Sequence, residues 1–179
     1  MKTRFLLAFA SVALIMAVSC QSRTNGGYVI KGVVTDPELE GAQMFLVPLE
    51  NAVKETIDSV VIKDMKFQFT GTEEKMADIR VEMYKRQNVQ SLLVVTEPGT
   101  INVVMGKDSS GGGTPQNDSL QVWKDITMKH NQDLNTYLRA GATDAAKAEK
   151  EYYRNRSRQM AQALGKDSTL GAFLFSLFR

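Results

Sequence analysis

The chain has few of the residues on which many enzymes and metalloproteins depend. Its 179 residues include one cysteine, one histidine, one tryptophan and four prolines. A single cysteine excludes an intrachain disulfide, and it also excludes thiol–disulfide exchange through a C-x-x-C pair. With one histidine, His130, and one cysteine, Cys20, a zinc site has no ligand set. We therefore expect no catalytic residues, no metal ligands and no cofactor-binding residues.

Long hydrophobic runs are also scarce, and the longest lies at the start of the chain. Phe5 to Val18 form a nearly unbroken apolar run of 14 residues, which follows the positive charges of Lys2 and Arg4. A run of this length is too short to cross a bilayer as a helix. It has the length of the apolar core of a signal peptide, and the charges before it fit that interpretation.

The only cysteine comes at the end of this run. The stretch Ala17-Val18-Ser19-Cys20 resembles a bacterial lipobox, in which the peptidase cuts before the cysteine and the thiol carries diacylglycerol. We predict that residues 1–19 are a lipoprotein signal peptide and that lipidated Cys20 anchors the protein to a membrane through its acyl chains. An ordinary signal peptide with an incidental cysteine is the alternative. The small, polar residues 20–27 would then form a short tether.

An excess of charge is lacking as well. Removal of residues 1–19 takes away two positive charges, so the formal net charge falls from +2 to 0. This balance does not resemble the electrostatic footprint of a nucleic-acid binder. No acidic run follows Cys20, and Gln21 stands where an Asp can mark inner-membrane retention. We expect a cell-envelope protein, anchored in the outer membrane and facing the periplasm.

Residues 28–106 follow a β pattern. Seven segments are candidate strands: YVIKGVVT, AQMFLVPL, ETIDSVVI, KFQFTG, ADIRVEMY, SLLVVTE and TINVVMG. Short strands separated by turn residues favour an antiparallel sandwich. The Gly/Ser-rich residues 107–116 are predicted to be a linker. Their spacing does not fit a phosphate-binding loop, which would need Gly in place of Ile101 and Ser or Thr in place of Asp108.

Residues 117–179 form the predicted helical segment. One face of its first helix carries Leu120, Trp123, Ile126, Thr127, His130, Leu134, Tyr137 and Leu138. Asp118 and Gln121 are placed as a capping box. Gly141 and Gly165 are expected to end the first and second helices, and a third begins near Asp167. We thus predict an α+β fold, in which an antiparallel β-sandwich precedes two to three C-terminal helices.

We interpret the polar candidates for chemistry as structural. His130 lies on the apolar face of a helix, where a packed, hydrogen-bonded side chain is expected. Glu73 and Glu74 fit solvated loop charges, and Glu97 fits an acid that flanks the Pro98-Gly99 turn.

Two side-chain patterns have a functional alternative. The basic stripe of Lys147, Lys150, Arg154 and Arg158 could face anionic headgroups, but Glu151 lies among these cations and favours a solvated helix face. Trp123 could stack on a sugar, although a tryptophan in an aliphatic stripe is more often part of a core.

Five segments together resemble a known family. They are YVIKGVV (28–34), GAQMFLVPL (41–49), TIDSVVIKDMKFQFTG (56–71), LVVTEPGTINV (93–103) and GTPQNDSL (113–120). Their order is that of a domain of unknown function found in envelope lipoproteins of some Gram-negative bacteria. In that family the domain commonly precedes a thioredoxin-like module of the AhpC/TSA, thiol-disulfide oxidoreductase type. The module is absent from these 179 residues, and Met65 replaces a Gly that is usual in the family, so that turn is expected to need another geometry.

Three hypotheses remain open from the sequence. The first is a lipid-anchored envelope protein whose non-catalytic sandwich serves binding or assembly, with a protein or glycan partner that the sequence does not identify. The second, implied by the resemblance and by the apolar ending LGAFLFSLF, is the N-terminal part of a thiol-disulfide oxidoreductase. The third is a surface carbohydrate-binding module, which would need a row of exposed aromatic side chains on one sheet.

Overall fold

The computed structural model describes residues 26–82 and 89–178. Cys20, the predicted signal peptide and most of the predicted tether lie outside the described residues. The strands are β1 (Tyr28–Val34), β2 (Gln43–Pro48), β3 (Asp58–Val61), β4 (Lys66–Gly71), β5 (Met76–Val81), β6 (Leu92–Val95), β7 (Gly99–Met105) and β8 (Ser110–Gly112). The helices are α1 (Pro115–Arg139), α2 (Thr143–Leu164) and α3 (Thr169–Leu177), and short 3-10 turns occupy Pro37–Leu39 and Lys54–Thr56.

The strands form two four-stranded sheets, and the predicted α+β fold is confirmed. The first sheet has the order β4-β1-β7-β8 and the second the order β3-β2-β5-β6. All seven predicted strands are present. The pairing is antiparallel with one exception, because β1 and β7 run parallel, with Ile30 opposite Ile101.

The main hydrophobic core lies between the two sheets. Alternation along each strand turns every second side chain inward, as in β1, where Ile30 is buried and Lys31 is exposed. Both sheets contribute side chains that are at most 1% exposed, namely Ile30, Phe69, Ile101, Met105, Met44, Ile79, Val81 and Val94. Each such large apolar side chain contributes about 1.5–3 kcal/mol on burial, which makes this layer the main source of stability for the sandwich.

The segment 107–116 differs from its prediction as a linker. It contains β8, which pairs with β7 so that Gly111 lies opposite Val103, and α1 already begins at Pro115. Glycine is unfavourable in strands, so the pattern gave no strand signal here. A Cβ atom on Gly111 would lie 3.2 Å from side-chain atoms of Leu92 and Val103. The absence of a side chain therefore lets β8 approach its neighbours closely.

The turn between Lys63 and Lys66 keeps a glycine-like geometry without a glycine. Asp64 has φ 52° and Met65 has φ 58°, and Lys63 and Lys66 exchange backbone hydrogen bonds of 2.9 and 3.0 Å. Positive φ at both central residues is the pattern of a type I′ hairpin turn. The expectation of another geometry at Met65 was wrong. The carboxylate of Glu40 accepts hydrogen bonds from the amides of Asp64 and Met65, each at 2.9 Å, and so holds the turn.

A second hydrophobic core joins the helices to the outer face of β5 and β6. It contains Met76, Val95, Leu120, Ala161, Leu170 and Leu174, with Trp123 and Phe173 packed against it. The predicted helix ends are confirmed, since Gly141 and Gly165 both adopt positive φ at the ends of α1 and α2. The apolar ending of the sequence is α3, whose Leu170 and Leu174 are fully buried.

Candidate binding site at the open edge of the sandwich

The edge formed by β6 and β8 is where the sandwich meets its first helix. β6 is the last strand of one sheet and β8 the last strand of the other, and α1 packs against both. Terminal strands present backbone N–H and C=O groups that have no strand partner. We call this side of the molecule the open edge, and the contacts of α1 decide which of its backbone groups are satisfied.

Asn117 takes the place of a strand partner for β6. Its Oδ1 accepts a hydrogen bond from the Val95 amide at 3.0 Å, and its Nδ2 donates to the Val95 carbonyl at 2.7 Å. A carboxamide carries the same donor and acceptor as a peptide group, so one side chain pairs with both backbone groups of Val95. Nδ2 also donates to Thr114 Oγ1 at 2.8 Å. Asn117 and Val95 are both buried, so these bonds form away from water.

Glu97 caps the start of α1. Its Oε1 accepts hydrogen bonds from the backbone amides of Gln116 at 2.7 Å and Asn117 at 3.1 Å. These amides belong to the first turn of the helix, where backbone donors lack helical partners and a negative charge is favourable. Glu97 is only 7% exposed. The structural interpretation of Glu97 is thus confirmed, and its partner is a helix that follows 19 residues later in the sequence.

Instead of forming the predicted capping box, Gln121 bonds to β8 and Asp118 bonds to the residue that follows β8. Asp118 Oδ1 accepts from the Gly113 amide at 2.7 Å, and Gln121 Oε1 accepts from the Gly111 amide at 3.0 Å. That prediction was wrong because α1 begins before Asp118, so its side chain already lies in the first turn. We call Glu97, Asn117, Asp118 and Gln121 the edge joint, since they tie α1 to β6, β8 and the turn before β7.

A second group of polar contacts fixes the start of α3 to the same region. Gln116 Oε1 accepts from the Leu170 amide at 2.9 Å, and Gln116 Nε2 donates to Glu74 Oε1 at 2.8 Å. Thr169 Oγ1 also donates to Glu74 Oε1, at 2.7 Å. Glu74 is an exposed loop charge, as predicted, and it also accepts these two hydrogen bonds. Glu73 pairs with Lys75 at the protein surface.

His130 is packed and hydrogen-bonded, as predicted. It is 8% exposed, and its Nδ1 lies 2.9 Å from Glu149 Oε1, which suits donation from the ring to the carboxylate. The ring stacks on Tyr153 with centroids 4.2 Å apart. Thr127 donates its proton to the Trp123 carbonyl at 2.8 Å, so the Tyr153 hydroxyl, 3.0 Å away, donates to Thr127. His130 therefore acts as part of the α1–α2 interface.

Trp123 is half-buried between the helices. Its Nε1 donates to Ser157 Oγ at 3.2 Å, and its ring makes edge-on contacts with Phe173 and Phe178 at centroid distances of 6.2 and 6.3 Å. The interpretation of Trp123 as a packing residue is confirmed. One part of the ring also borders a cleft at the open edge.

This apolar, partly enclosed cleft is a candidate binding site. We call it the edge cleft. It encloses about 210 Å³ between β6, β8 and α1. Its apolar walls come from Leu92, Leu93, Leu120, Trp123 and Met128. A larger depression of about 830 Å³ lies on the outer face of the first sheet, around Lys31 and Asn102. That depression is shallow and open, so a ligand there would bury less of its surface than one in the edge cleft.

Lys124 is the charged residue of the edge cleft. Among the described residues that line it, Lys124 alone carries a charge. Burial lowers the pKa of Lys124 below its usual 10.5, while Asp125 and Asp108 act in the opposite direction. Partial burial disfavours the charged form of an amine, so an anionic group at this wall would find a cation that is incompletely hydrated.

The basic stripe of α2 and the aromatic residues of the strands, both considered above as possible binding surfaces, are also described by the structure. Lys147, Lys150 and Arg154 are exposed on α2, and Arg158 Nε donates to the Phe178 carbonyl at 2.9 Å. Among the aromatic residues considered for sugar binding, Tyr28, Phe67 and Phe69 are buried, Phe45 is half-buried and Tyr84 lies outside the described residues. The strands described here thus present no row of exposed aromatic rings.

Neither a candidate metal site nor a candidate membrane-spanning helix occurs in the described ranges 26–82 and 89–178. Within them, no three His, Cys, Asp or Glu side chains come together in a way that could hold a metal ion. None of the helices in that part of the chain combines the length and apolar character needed to span a membrane.

Comparison with known proteins gives one match. The sequence profile described as Domain of unknown function (DUF4369) matches residues 28–120, slightly more than half of the chain, and the chain belongs to this family. The matched region runs from β1 into the second turn of α1, so it contains Glu97, Asn117 and Asp118 of the edge joint. None of the curated proteins and none of the solved structures compared with the chain gives a match.

Proposed function

We propose that this protein is a lipid-anchored component of the cell envelope, with a non-catalytic module for binding or assembly. The observation that carries the anchor is the N-terminal sequence. A positive segment and a 14-residue apolar run lead directly to the only cysteine of the chain. Two or three acyl chains on Cys20 would hold the protein at a membrane almost permanently, since each buried methylene contributes about 0.8 kcal/mol.

The non-catalytic role is supported by the contacts of the polar side chains. His130 bonds to Glu149 between two helices, and Glu97 caps a helix from a buried position. Asp118 bonds to the backbone of Gly113, the residue after β8. Each of these groups, which could act as an acid or base in a different setting, is engaged in joining elements of the fold. The edge cleft is the surface best suited to a partner, because it is apolar and partly enclosed.

The anchor is tested by the intact mass of protein extracted with detergent from its native membranes. We expect a mass that includes acyl chains on a chain that begins at Cys20, and recovery in the membrane fraction. The matched control is Cys20→Ser, which has nearly the same size but no thiol to receive diacylglycerol. It should lose both the added mass and the membrane association. A wild-type protein without acyl chains would contradict the proposal.

The thiol-disulfide oxidoreductase alternative rests on the family's common arrangement. The apolar ending that also suggested it has a second account, because α3 buries Leu170 and Leu174 against the other helices and β5. The same mass measurement separates the two candidates. A mass larger by a whole domain would indicate a segment beyond Arg179, and the presence of C-x-x-C in that segment would favour the alternative.

A further inference from the structure

We propose that the edge cleft binds an extended peptide segment of a partner protein, which adds to β6 at Leu93 as a short strand. One apolar side chain of the peptide would enter the cleft, and an acidic group would reach Lys124. This inference deepens the binding role proposed above and rests on it, since it names the surface and the chemical class of the partner.

The direction of the Leu93 backbone N–H and C=O follows from the hydrogen bonds of β6. In an antiparallel pair, residues alternate between those that bond to the neighbouring strand and those that point away from it. Val95 points away from β5, because both its backbone groups bond to Asn117. Met76, which lies opposite Val95 on β5, likewise points away from β6, because its carbonyl accepts a hydrogen bond from Leu49, the residue after β2. Leu93 lies two residues before Val95, so its N–H and C=O also point outward at the open edge.

Among the described residues, none forms a hydrogen bond with the N–H or C=O of Leu93. No side chain among them plays for Leu93 the role that Asn117 plays for Val95. Leu93 is half-buried and lines the edge cleft. An outward donor and acceptor beside a partly enclosed cavity are the groups to which an added strand bonds in peptide recognition by a sheet edge.

The size and lining of the edge cleft indicate which part of a peptide it can hold. Sites for drug-sized ligands and cofactors usually enclose about 300–1,000 Å³, and the edge cleft encloses about 210 Å³. It is therefore suited to a single anchoring side chain. Leu92, Leu120 and Met128 form apolar walls, and methionine adapts to side chains of different shape. An aliphatic or aromatic anchor residue fits this lining.

The charge in the lining of the edge cleft indicates the polar group that the peptide carries. Lys124 is the one charge among the described lining residues, and the rest of the polar lining, which includes Gln90, Ser91 and Asn131, is neutral. A hydrogen bond between a lysine and a carboxylate is stronger than one between neutral groups. An acidic side chain, or a terminal carboxylate, is thus the polar group that the cleft favours in the peptide.

The test uses the full chain in detergent and an array of synthetic hexapeptides. One set alternates apolar residues with Asp or Glu, and the matched set carries Lys in place of the acids. We expect binding by the acidic set and weaker binding by the basic set. Lys124→Gln should weaken the acidic set about tenfold, the effect of losing one charged hydrogen bond. The control Lys129→Gln, on an exposed part of α1, should leave affinity unchanged.

A pair of variants isolates the backbone bond. Proline is tolerated on an edge strand where its missing N–H faces outward, so Leu93→Pro removes the proposed donor, while Leu93→Ala removes only the side chain. We expect Leu93→Pro to bind about fivefold more weakly than Leu93→Ala, the effect of one net hydrogen bond of ~1 kcal/mol. If Leu93→Pro does not fold, N-methylation of single peptide positions replaces it, and one position should lose a similar factor.

Two outcomes would overturn this inference. One is binding by neither peptide set, or equal binding by both. The other is affinity that is unchanged by Lys124→Gln and equal in Leu93→Pro and Leu93→Ala. Neither outcome bears on acylation of Cys20, which the intact mass decides. A partner that cross-links in the envelope at another surface, such as the outer face of the first sheet, would keep the binding role and contradict only the edge cleft.

Discussion

Replacing Asn117 with alanine is expected to destabilise the protein far more than the loss of a typical surface amide. The substitution removes the two bonds to Val95, of 3.0 and 2.7 Å, and the bond to Thr114. Val95 is completely buried and Thr114 nearly so. The backbone N–H and C=O of Val95 would then be left without partners in a site that water reaches poorly.

The magnitude follows from the two stranded backbone groups. A buried donor or acceptor that loses its partner costs about 1–3 kcal/mol. The substitution leaves two such groups without partners, and some relaxation of the site is possible. We therefore expect a loss of about 3 kcal/mol in the free energy of unfolding. Asn131→Ala is the matched control, because Asn131 is exposed on the same helix. It should change the free energy by less than about 0.5 kcal/mol.

Urea unfolding followed by two signals measures this effect. The fluorescence of Trp123, the only tryptophan, reports whether α1 is docked, and far-ultraviolet circular dichroism reports the whole fold. In Asn117→Ala we expect the fluorescence midpoint to fall at least as far as the dichroism midpoint, because the joint to α1 is weakened directly. A loss below about 1 kcal/mol, within the range of a single ordinary hydrogen bond, would refute the argument that Asn117 satisfies two buried groups.

Three further changes test other parts of the fold. Met65→Gly should be about 1 kcal/mol more stable than Met65→Ala in urea unfolding, since glycine adopts the positive φ of this turn without strain; equal stabilities would contradict the turn geometry. Leu174→Ala, at a fully buried position, should lower the free energy of unfolding by about 2–5 kcal/mol. Leu177→Ala, at a position 51% exposed, should lower it by less than about 0.5 kcal/mol. Similar losses in the two variants would mean that α3 is not docked as described. Burial raises the pKa of Tyr28 above its usual 10.0, so the unfolded chain releases this proton first and stability falls as the pH rises above 10.0. Tyr28→Phe should therefore lose less stability at alkaline pH than the wild-type protein. An unchanged dependence of stability on pH would contradict the burial of this hydroxyl.

The local patterns of the sequence were sufficient for most of the fold. Alternating residues in β4 and β5 identified the strands and the inward side chains Phe67, Phe69 and Ile79, because side chains on a strand alternate between its faces. Gly141 and Gly165 marked the ends of two helices, since glycine readily adopts the left-handed geometry found there. His130 was correctly placed in the helix packing because it lay within an apolar stripe.

The features that sequence reasoning missed depend on contacts between distant residues. β8 consists of a serine and two glycines, and only its neighbours β7 and α1 make it a strand. The parallel pairing of β1 with β7 joins segments about seventy residues apart, which alternation within either segment does not reveal. Asp118 and Gln121 had the spacing of a capping box, but their partners are the backbone amides of Gly113, directly after β8, and of Gly111, within β8. The Gly-Thr-Pro sequence, whose proline is the first residue of α1, was a usable signal for the start of this helix, because proline is favoured in the first turn.

The edge joint also gives a physical reason for two segments of the family resemblance. The EPG segment supplies Glu97, and the GTPQND segment supplies Asn117 and Asp118. Asn117 and Asp118 close one part of the open edge with side chains of α1, and Glu97 holds the start of that helix in place. The same closure stops at Val95 and leaves Leu93 open, so the structural role of the motif and the proposed binding site are two parts of one surface.

Amide hydrogen exchange at Val95 and Leu93 tests this account most directly. Both amides belong to β6 and both point away from β5, so a difference between them reports the partner and not the strand. We expect slow exchange at Val95, fast exchange at Leu93, and exchange at Val95 as fast as at Leu93 in Asn117→Ala. Equal protection of the two amides in the wild-type protein, or protection of Val95 that survives Asn117→Ala, would contradict the claim that Asn117 closes the edge beside an open binding cleft.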